Sequence, residues 1–491
     1  MAIAGLATGS TGVTMAAPAD AEPRRARFAS DTPQAALFEW SIPSSYGEQR
    51  DDSGVIVETD PAKVSTGPWR VRLQVAPSSC SQRARYRWSV EGRKLRTKRA
   101  PGCTFEATFA KEGTRYPVRL EIKLDGRTLT HEQPILVQDW LIVSIGDSVA
   151  SGESVPDVPG FRRSRWQHVP CHRSARAAPA KAARQIEELD DHSSVTFVHL
   201  ACSGATIQQG LLGSYDGVLA EPLTQPQTAQ VKVLNRLARQ RKVDAVLLSV
   251  GANDVYFGAI VRYCAVHPSS DCFKERLSKT EPRTINDSVA KALETLRDGY
   301  DELDGEFDKR IERPRVHIVD YFDPTHDARG KTCKRILGFV TASELESAQS
   351  RVLEPLNRAV ASAADRHGWT ALTGTAERFR MHGYCAGRQA WVTTLSGSAA
   401  RSGGAVKSHL LGTLHPNESG QDVIAHGIVG SLQRSLYPGQ EFEATTWDPE
   451  PEEEEGPSTA MVIFIAIVVL VLLGLVGWLG WALGKSRGAR A

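Results

Sequence analysis

The chain has 491 residues, 41% hydrophobic and 24% charged, with a formal net charge of only +2. That length leaves room for two or three domains, and the composition excludes a wholly disordered chain. Basic and acidic residues are interspersed, so nucleic acid is not an indicated partner.

Residues 1–21 are rich in Ala and Gly and end Ala19-Asp20-Ala21, which gives a signal-peptide-like segment, although a basic start is missing. From about Leu37 the pattern is β. Trp69 to Val75, Tyr86 to Val90 and Val118 to Leu124 alternate apolar and polar residues, and Asp125-Gly126 is a hairpin signal. Residues 37–138 are therefore expected to form a small antiparallel β-sandwich resembling immunoglobulin-like or polycystic-kidney-disease-type modules.

A different architecture follows over residues 139–437. Short apolar runs at Leu141 to Ile145, Val195 to Leu200, Ala245 to Val250 and Val316 to Val319 alternate with helical patterns at Ala178 to Leu189, Thr228 to Arg241 and Ile285 to Leu303. Strands alternating with helices predict an α/β domain around a parallel sheet. Ser343 to His367 and Asn417 to Leu436 read as further helices, the latter with Asn417 as N-cap.

Residues 438–458, with the acidic run Glu452 to Glu455 among prolines, form an expected solvated linker. Ala460 to Leu483 then lacks any charged residue, and about 24 residues make ~36 Å of helix, enough to span a bilayer. Lys485, Arg487 and Arg490 follow in the tail 484–491, so the positive-inside rule puts the carboxyl terminus in the cytoplasm and the rest outside. The expected location is thus the cell membrane, single-pass, with the bulk of the chain extracytoplasmic. Eight cysteines without a C-x-x-C pair argue against zinc, and their even number in an exported chain points to disulfides. The expected pairing takes neighbours in chain order: Cys80 with Cys103, Cys171 with Cys202, Cys264 with Cys272, and Cys333 with Cys385.

Chemistry is concentrated where the apolar runs stop. Ser148 in Gly146-Asp147-Ser148 lands at the carboxyl edge of the sheet, where open α/β sheets place their sites. Gly204 follows the Val195 run, Asn253 follows the Ala245 run, and His415 precedes the last helix. Ester hydrolysis needs a nucleophile, a base and donors aimed at the developing oxyanion. Ser148 and His415 supply the first two; the Ser148 amide, the Gly204 amide and the Asn253 carboxamide supply the third.

These four residues, in this order, resemble the four blocks of the SGNH (GDSL-type) hydrolase superfamily. Gly146-Asp-Ser-Val-Ala-Ser-Gly152, Cys171-His-Arg-Ser174, His382-Gly-Tyr-Cys385 and Trp391 are similar to the secreted, disulfide-bonded actinobacterial esterase and lipase branch. The resemblance covers roughly residues 139–437. It implies a three-layer α/β/α sandwich of flavodoxin-like type, no cofactor and no metal. The implied activity is that of a serine esterase or lipase acting on acyl esters. The alternatives are a carbohydrate O-deacetylase of the same superfamily or an inactive surface adhesion or scaffold protein; oligomeric state is not legible. The family usually carries an Asp three residues before the histidine. Here that position is Gly412, so the expected orienter of His415 is the Gly412 carbonyl, with an acid recruited from elsewhere as the other possibility. Asp147 and Asp254 are expected to brace turns, and His168, His172 and His409 to be satisfied surface histidines, with the rim of the pocket as the other reading.

Overall fold

The computed structural model describes residues 37–44, 60–160, 164–218, 225–267, 271–338, 340–402 and 411–442. The expected signal-like segment 1–21, the span 460–483, the tail 484–491 and the linker beyond residue 442 lie outside the described residues. Among the described residues no helix is long and apolar enough to cross a membrane.

The amino-terminal part is built from β1 (Phe38–Ser41), β2 (Trp69–Val75), β3 (Arg85–Val90), β4 (Arg93–Lys94), β5 (Thr97–Ala100), β6 (Thr104–Phe109) and β7 (Thr114–Leu124). Alternation decides which side faces inward. In β2, Trp69, Val71, Leu73 and Val75 are buried while Arg70 and Arg72 face solvent. With Trp88, Phe105, Leu120 and Ile122 they make a core of their own. Strands β1, β2, β6 and β5 form one antiparallel sheet. Asp125 and Gly126, with φ of 48° and 78°, form the two-residue hairpin that leads from β7 into β8 (Arg127–Gly146).

The remaining elements are α1 (Ser148–Ser151), α2 (Ala178–Glu187), β9 (Ser193–His199), α3 (Gln230–Gln240), β10 (Ala245–Ser249), α4 (Phe257–Val266), α5 (Ile285–Glu306), β11 (Val316–Val319), the short pair β12 (Arg335–Ile336) and β13 (Val340–Thr341), α6 (Ala342–Ala348), α7 (Glu354–His367), β14 (Thr370–Leu372), α8 (Thr375–Arg378), α9 (Leu395–Ser402) and α10 (Glu418–Leu436). A π-turn at Gln349–Leu353 joins α6 to α7, so the predicted helix at Ser343 to His367 is one rod with a local widening. The parallel strands stand in the order β14, β11, β10, β8, β9. Every residue of β9, β10 and β11 is buried, as a parallel sheet covered by helices requires. Helix α2 packs on α10, and α5 on α7.

Strand β8 is the common spine. Its 20 residues, about 66 Å when extended, pair antiparallel with β7 from Arg127 to Val137 and parallel with β9 and β10 from Gln138 to Gly146. The expected boundary at 138/139 falls inside this strand, so the two parts share a mixed eight-stranded sheet rather than a linker. Arg241, at the end of α3, pins the junction. Its guanidinium binds Glu112 at 2.8 Å and Asp139 at 2.6 Å and lies 4.4 Å from the Trp69 ring centroid. The described chain ends at the amino edge of the parallel strands, where the Tyr437 hydroxyl accepts from Trp140 Nε1 at 3.1 Å and lies 3.0 Å from the Ser193 hydroxyl.

Candidate active site

At the opposite, carboxyl edge, Gly146 ends β8 with φ 142°. A Cβ there would sit 2.2 Å from the Ser249 carbonyl oxygen, so only glycine lets the chain turn out beside β10. Gln230 grips this peptide with both ends of its amide, accepting from Gly146 N at 2.7 Å and donating to its carbonyl at 3.0 Å. Asp147 caps α1 by accepting from Val149 N at 3.0 Å, and its other oxygen accepts from the Tyr321 hydroxyl at 2.6 Å. Burial pushes its carboxyl up to about 7. Asp254 likewise accepts from Ile207 N at 3.0 Å, with burial raising it to about 6. Both acids are held in turns, as expected.

Turning out after Gly146 presents Ser148, half-buried, to His415. The Ser148 Oγ lies 2.8 Å from His415 Nε2 across a separation of 267 residues. His415 stands just before α10, whose N-cap Asn417 accepts from Gly420 N at 3.0 Å. Leu414 has φ 65°, a sparsely populated conformation for a branched residue. It is held by its amide bond to the Thr393 carbonyl at 2.9 Å and by the Thr393 amide on the His415 carbonyl at 2.8 Å.

The expected orienter requires correction. The Gly412 carbonyl accepts from the main-chain amide of His415 at 3.1 Å, whereas the ring Nδ1 faces the Thr413 carbonyl at 3.3 Å. The left-handed turn at Leu414 is what swings the ring to Thr413. A carbonyl can only accept, so Nδ1 carries the ring proton and Nε2 is left to accept from the Ser148 hydroxyl. Burial pushes the His415 imidazole below its ordinary value, opposed by the Glu153 carboxylate and by the Thr413 and Leu411 carbonyls.

The other expected donors converge on the same edge. Cys202 N donates to the Gly146 carbonyl at 3.0 Å, which sets the Gly204 turn beside the Ser148 turn. Gly204 has φ 81°, and a Cβ on it would meet the Tyr215 hydroxyl at 2.3 Å. Among the described residues neither the Ser148 nor the Gly204 amide is taken up by a main-chain carbonyl. Asn253 Nδ2 donates to the Ala205 carbonyl at 3.0 Å, tying its loop to the Gly204 turn and leaving one N–H of the carboxamide.

Residues 144–423, more than half of the chain, match the GDSL-like Lipase/Acylhydrolase family. The chain belongs to this family. As a GDSL-type hydrolase it is an esterase. No curated protein matches the chain. Similar solved structures include a carbohydrate esterase whose active site displays divergent catalytic and non-catalytic binding functions (12% identity, 82% of this chain and 98% of that one, TM-score 0.29). Others are a carbohydrate acetylesterase from Xanthomonas citri (10% identity, 81% and 76%, TM-score 0.27) and a family two carbohydrate esterase from Clostridium thermocellum (12% identity, 75% and 92%, TM-score 0.26).

All four disulfides of this GDSL-family esterase pair as expected. Cys264, Cys272 and Glu344 gather metal-type donors among the described residues, but the two sulfurs are joined to each other. His172, expected at the surface, is instead buried, with Nδ1 at 2.9 and 3.0 Å from the Glu153 oxygens and its ring stacked 4.4 Å from Trp166. His168 is half-buried and His409 lies outside the described residues. Glu153 and Ser203 went unnoticed in the sequence. The available signal was an acid five positions after Ser148 together with a histidine in the Cys171 block, but no spacing rule joins two residues so far apart.

Proposed function

We propose that the protein is a membrane-anchored, extracytoplasmic serine esterase or lipase that cleaves acyl esters through an acyl-enzyme on Ser148. The 2.8 Å contact between Ser148 Oγ and His415 Nε2 carries this reading. The hydroxyl attacks the ester carbonyl carbon as His415 Nε2 takes its proton. The oxyanion is received by the Ser148 and Gly204 amides and the Asn253 carboxamide. Collapse of the tetrahedral intermediate returns the proton from His415 to the leaving alcohol, and water, deprotonated by the same imidazole, then releases the acid. Thr413, in the place of an acid, fixes the tautomer.

Extracytoplasmic placement is supported by four disulfides, and anchoring by the uncharged run Ala460 to Leu483 followed by basic residues. The described chain leaves the hydrolase at the edge of the sheet remote from Ser148.

Ser148→Ala is the test. It is expected to lower kcat on a chromogenic short-chain ester by more than about a thousandfold, abolish labelling by a fluorophosphonate, and leave the melting temperature nearly unchanged. Wild-type turnover in this variant would overturn the assignment. Absence of labelling in the wild type would favour the inactive scaffold. Comparing long-chain acyl esters with acetylated saccharides separates the lipase from the carbohydrate deacetylase.

A further inference from the structure

Five residues beyond Ser148, the carboxylate of Glu153 is 1% exposed. One oxygen accepts from the Ser203 hydroxyl, and both face His172 Nδ1. The Ser203 hydroxyl also lies 3.0 Å from the Ser151 hydroxyl, which donates to the Ser148 carbonyl at 3.2 Å; Glu153 N donates to that same carbonyl at 3.0 Å. His172 and Ser203 each follow a cysteine of one disulfide, Cys171–Cys202, and Ser203 N donates to the Cys171 carbonyl at 3.1 Å. The turns bearing the two amide donors, at Ser148 and Gly204, are thus joined through a single buried carboxylate.

Resting on the proposed Ser148–His415 chemistry, we infer that Glu153 is a positioning residue of this site, distinct from the Thr413 carbonyl that fixes the His415 tautomer. It locks the Gly204 turn to the nucleophile turn, and its buried negative charge favours the His415 imidazolium formed when Ser148 gives up its proton. The carboxylate's oxygens are engaged by His172 and Ser203, so it acts on His415 through space and takes no proton. Buried as it is, water screens that field weakly. The groups whose charge acts on His415 are Glu153, which favours the imidazolium, and His172, which opposes it. Those that interact electrostatically with Glu153 are His172, His415 and Tyr215, the last over Gly204. Burial alone would raise the Glu153 carboxyl, yet His172, His415 and the Ser203 hydroxyl hold it below the ordinary carboxylate range.

Glu153→Gln separates charge from shape. Removing the charge lowers the His415 pKa, so the acid limb of kcat/KM is expected to move to lower pH by about half a unit or more. In the same variant kcat should fall about tenfold or more, with KM within about twofold of wild type. A folded, fluorophosphonate-reactive Gln variant whose acid limb has not moved overturns the inference and leaves the Ser148 assignment intact; failure of Ser148→Ala to abolish labelling removes that assignment instead. Should the Gln variant not fold, Ser203→Ala carries the test, because it cuts the link while keeping the charge. A reduced kcat with an unmoved acid limb supports the inference, and a wild-type kcat overturns it.

Discussion

Installing the acid that the family usually carries, by Gly412→Asp, is expected to harm this enzyme. A Cβ at residue 412 would lie 2.9 Å from both Cα and Cβ of Ser154 and 3.0 Å from the Ser398 hydroxyl. Two of those atoms belong to or sit directly on backbone and cannot swing aside, and Ser154 is itself fixed by donating to the Pro416 carbonyl at 2.7 Å. Forcing a side chain into such packing costs about 1–3 kcal/mol. The same push displaces the turn that carries His415, and a shift of about 1 Å in a catalytic group costs on the order of a hundredfold in rate. Gly412→Ala presents the same Cβ without a carboxylate and serves as the control. Both variants should show a melting temperature several degrees lower and a much reduced kcat on a short-chain ester, measured by scanning calorimetry and steady-state kinetics. An Asp variant as stable and active as wild type would refute the packing argument and show that the turn can admit a conventional triad.

Because the base must be neutral to accept the Ser148 proton, and burial places the His415 pKa below its ordinary 6.5, activity is expected to rise with pH through a midpoint below 6.5; a pH profile of kcat/KM with its acid limb above that value would contradict the geometry. Arg241→Met strands Glu112 and Asp139 at the junction of the two parts. It should cost about 3–5 kcal/mol in urea unfolding; a loss below 1 kcal/mol would mean that the junction is braced elsewhere.

The elements legible in the sequence were those written locally. Ser148, Gly204, Asn253 and His415 each sit at the end of a short apolar run or the start of a helix, so their approach follows from where strands stop. The alternation in β2, the hairpin at Asp125-Gly126 and the cap at Asn417 need only near neighbours. Three features escaped because they depend on residues distant along the chain or on a single dihedral. The unbroken run of β8 is decided by β7 on one half and by β9 and β10 on the other, whereas the apolar pattern alone reads as two strands. The choice of Thr413 over Gly412 turns on the left-handed Leu414, a branched residue that gives no warning of it. The burial of His172 requires Glu153, and nothing in the composition of either segment announces the other.

Strand β8 also decides how the molecule can be aimed. A ladder of hydrogen bonds runs without a hinge from the Asp125-Gly126 tip to Gly146, two residues short of Ser148, and Arg241 clamps its midpoint. Whatever surface the first module rests upon therefore sets the direction in which the catalytic mouth points. The first module and the nucleophile turn thus move together, as the handle and tip of a single rod.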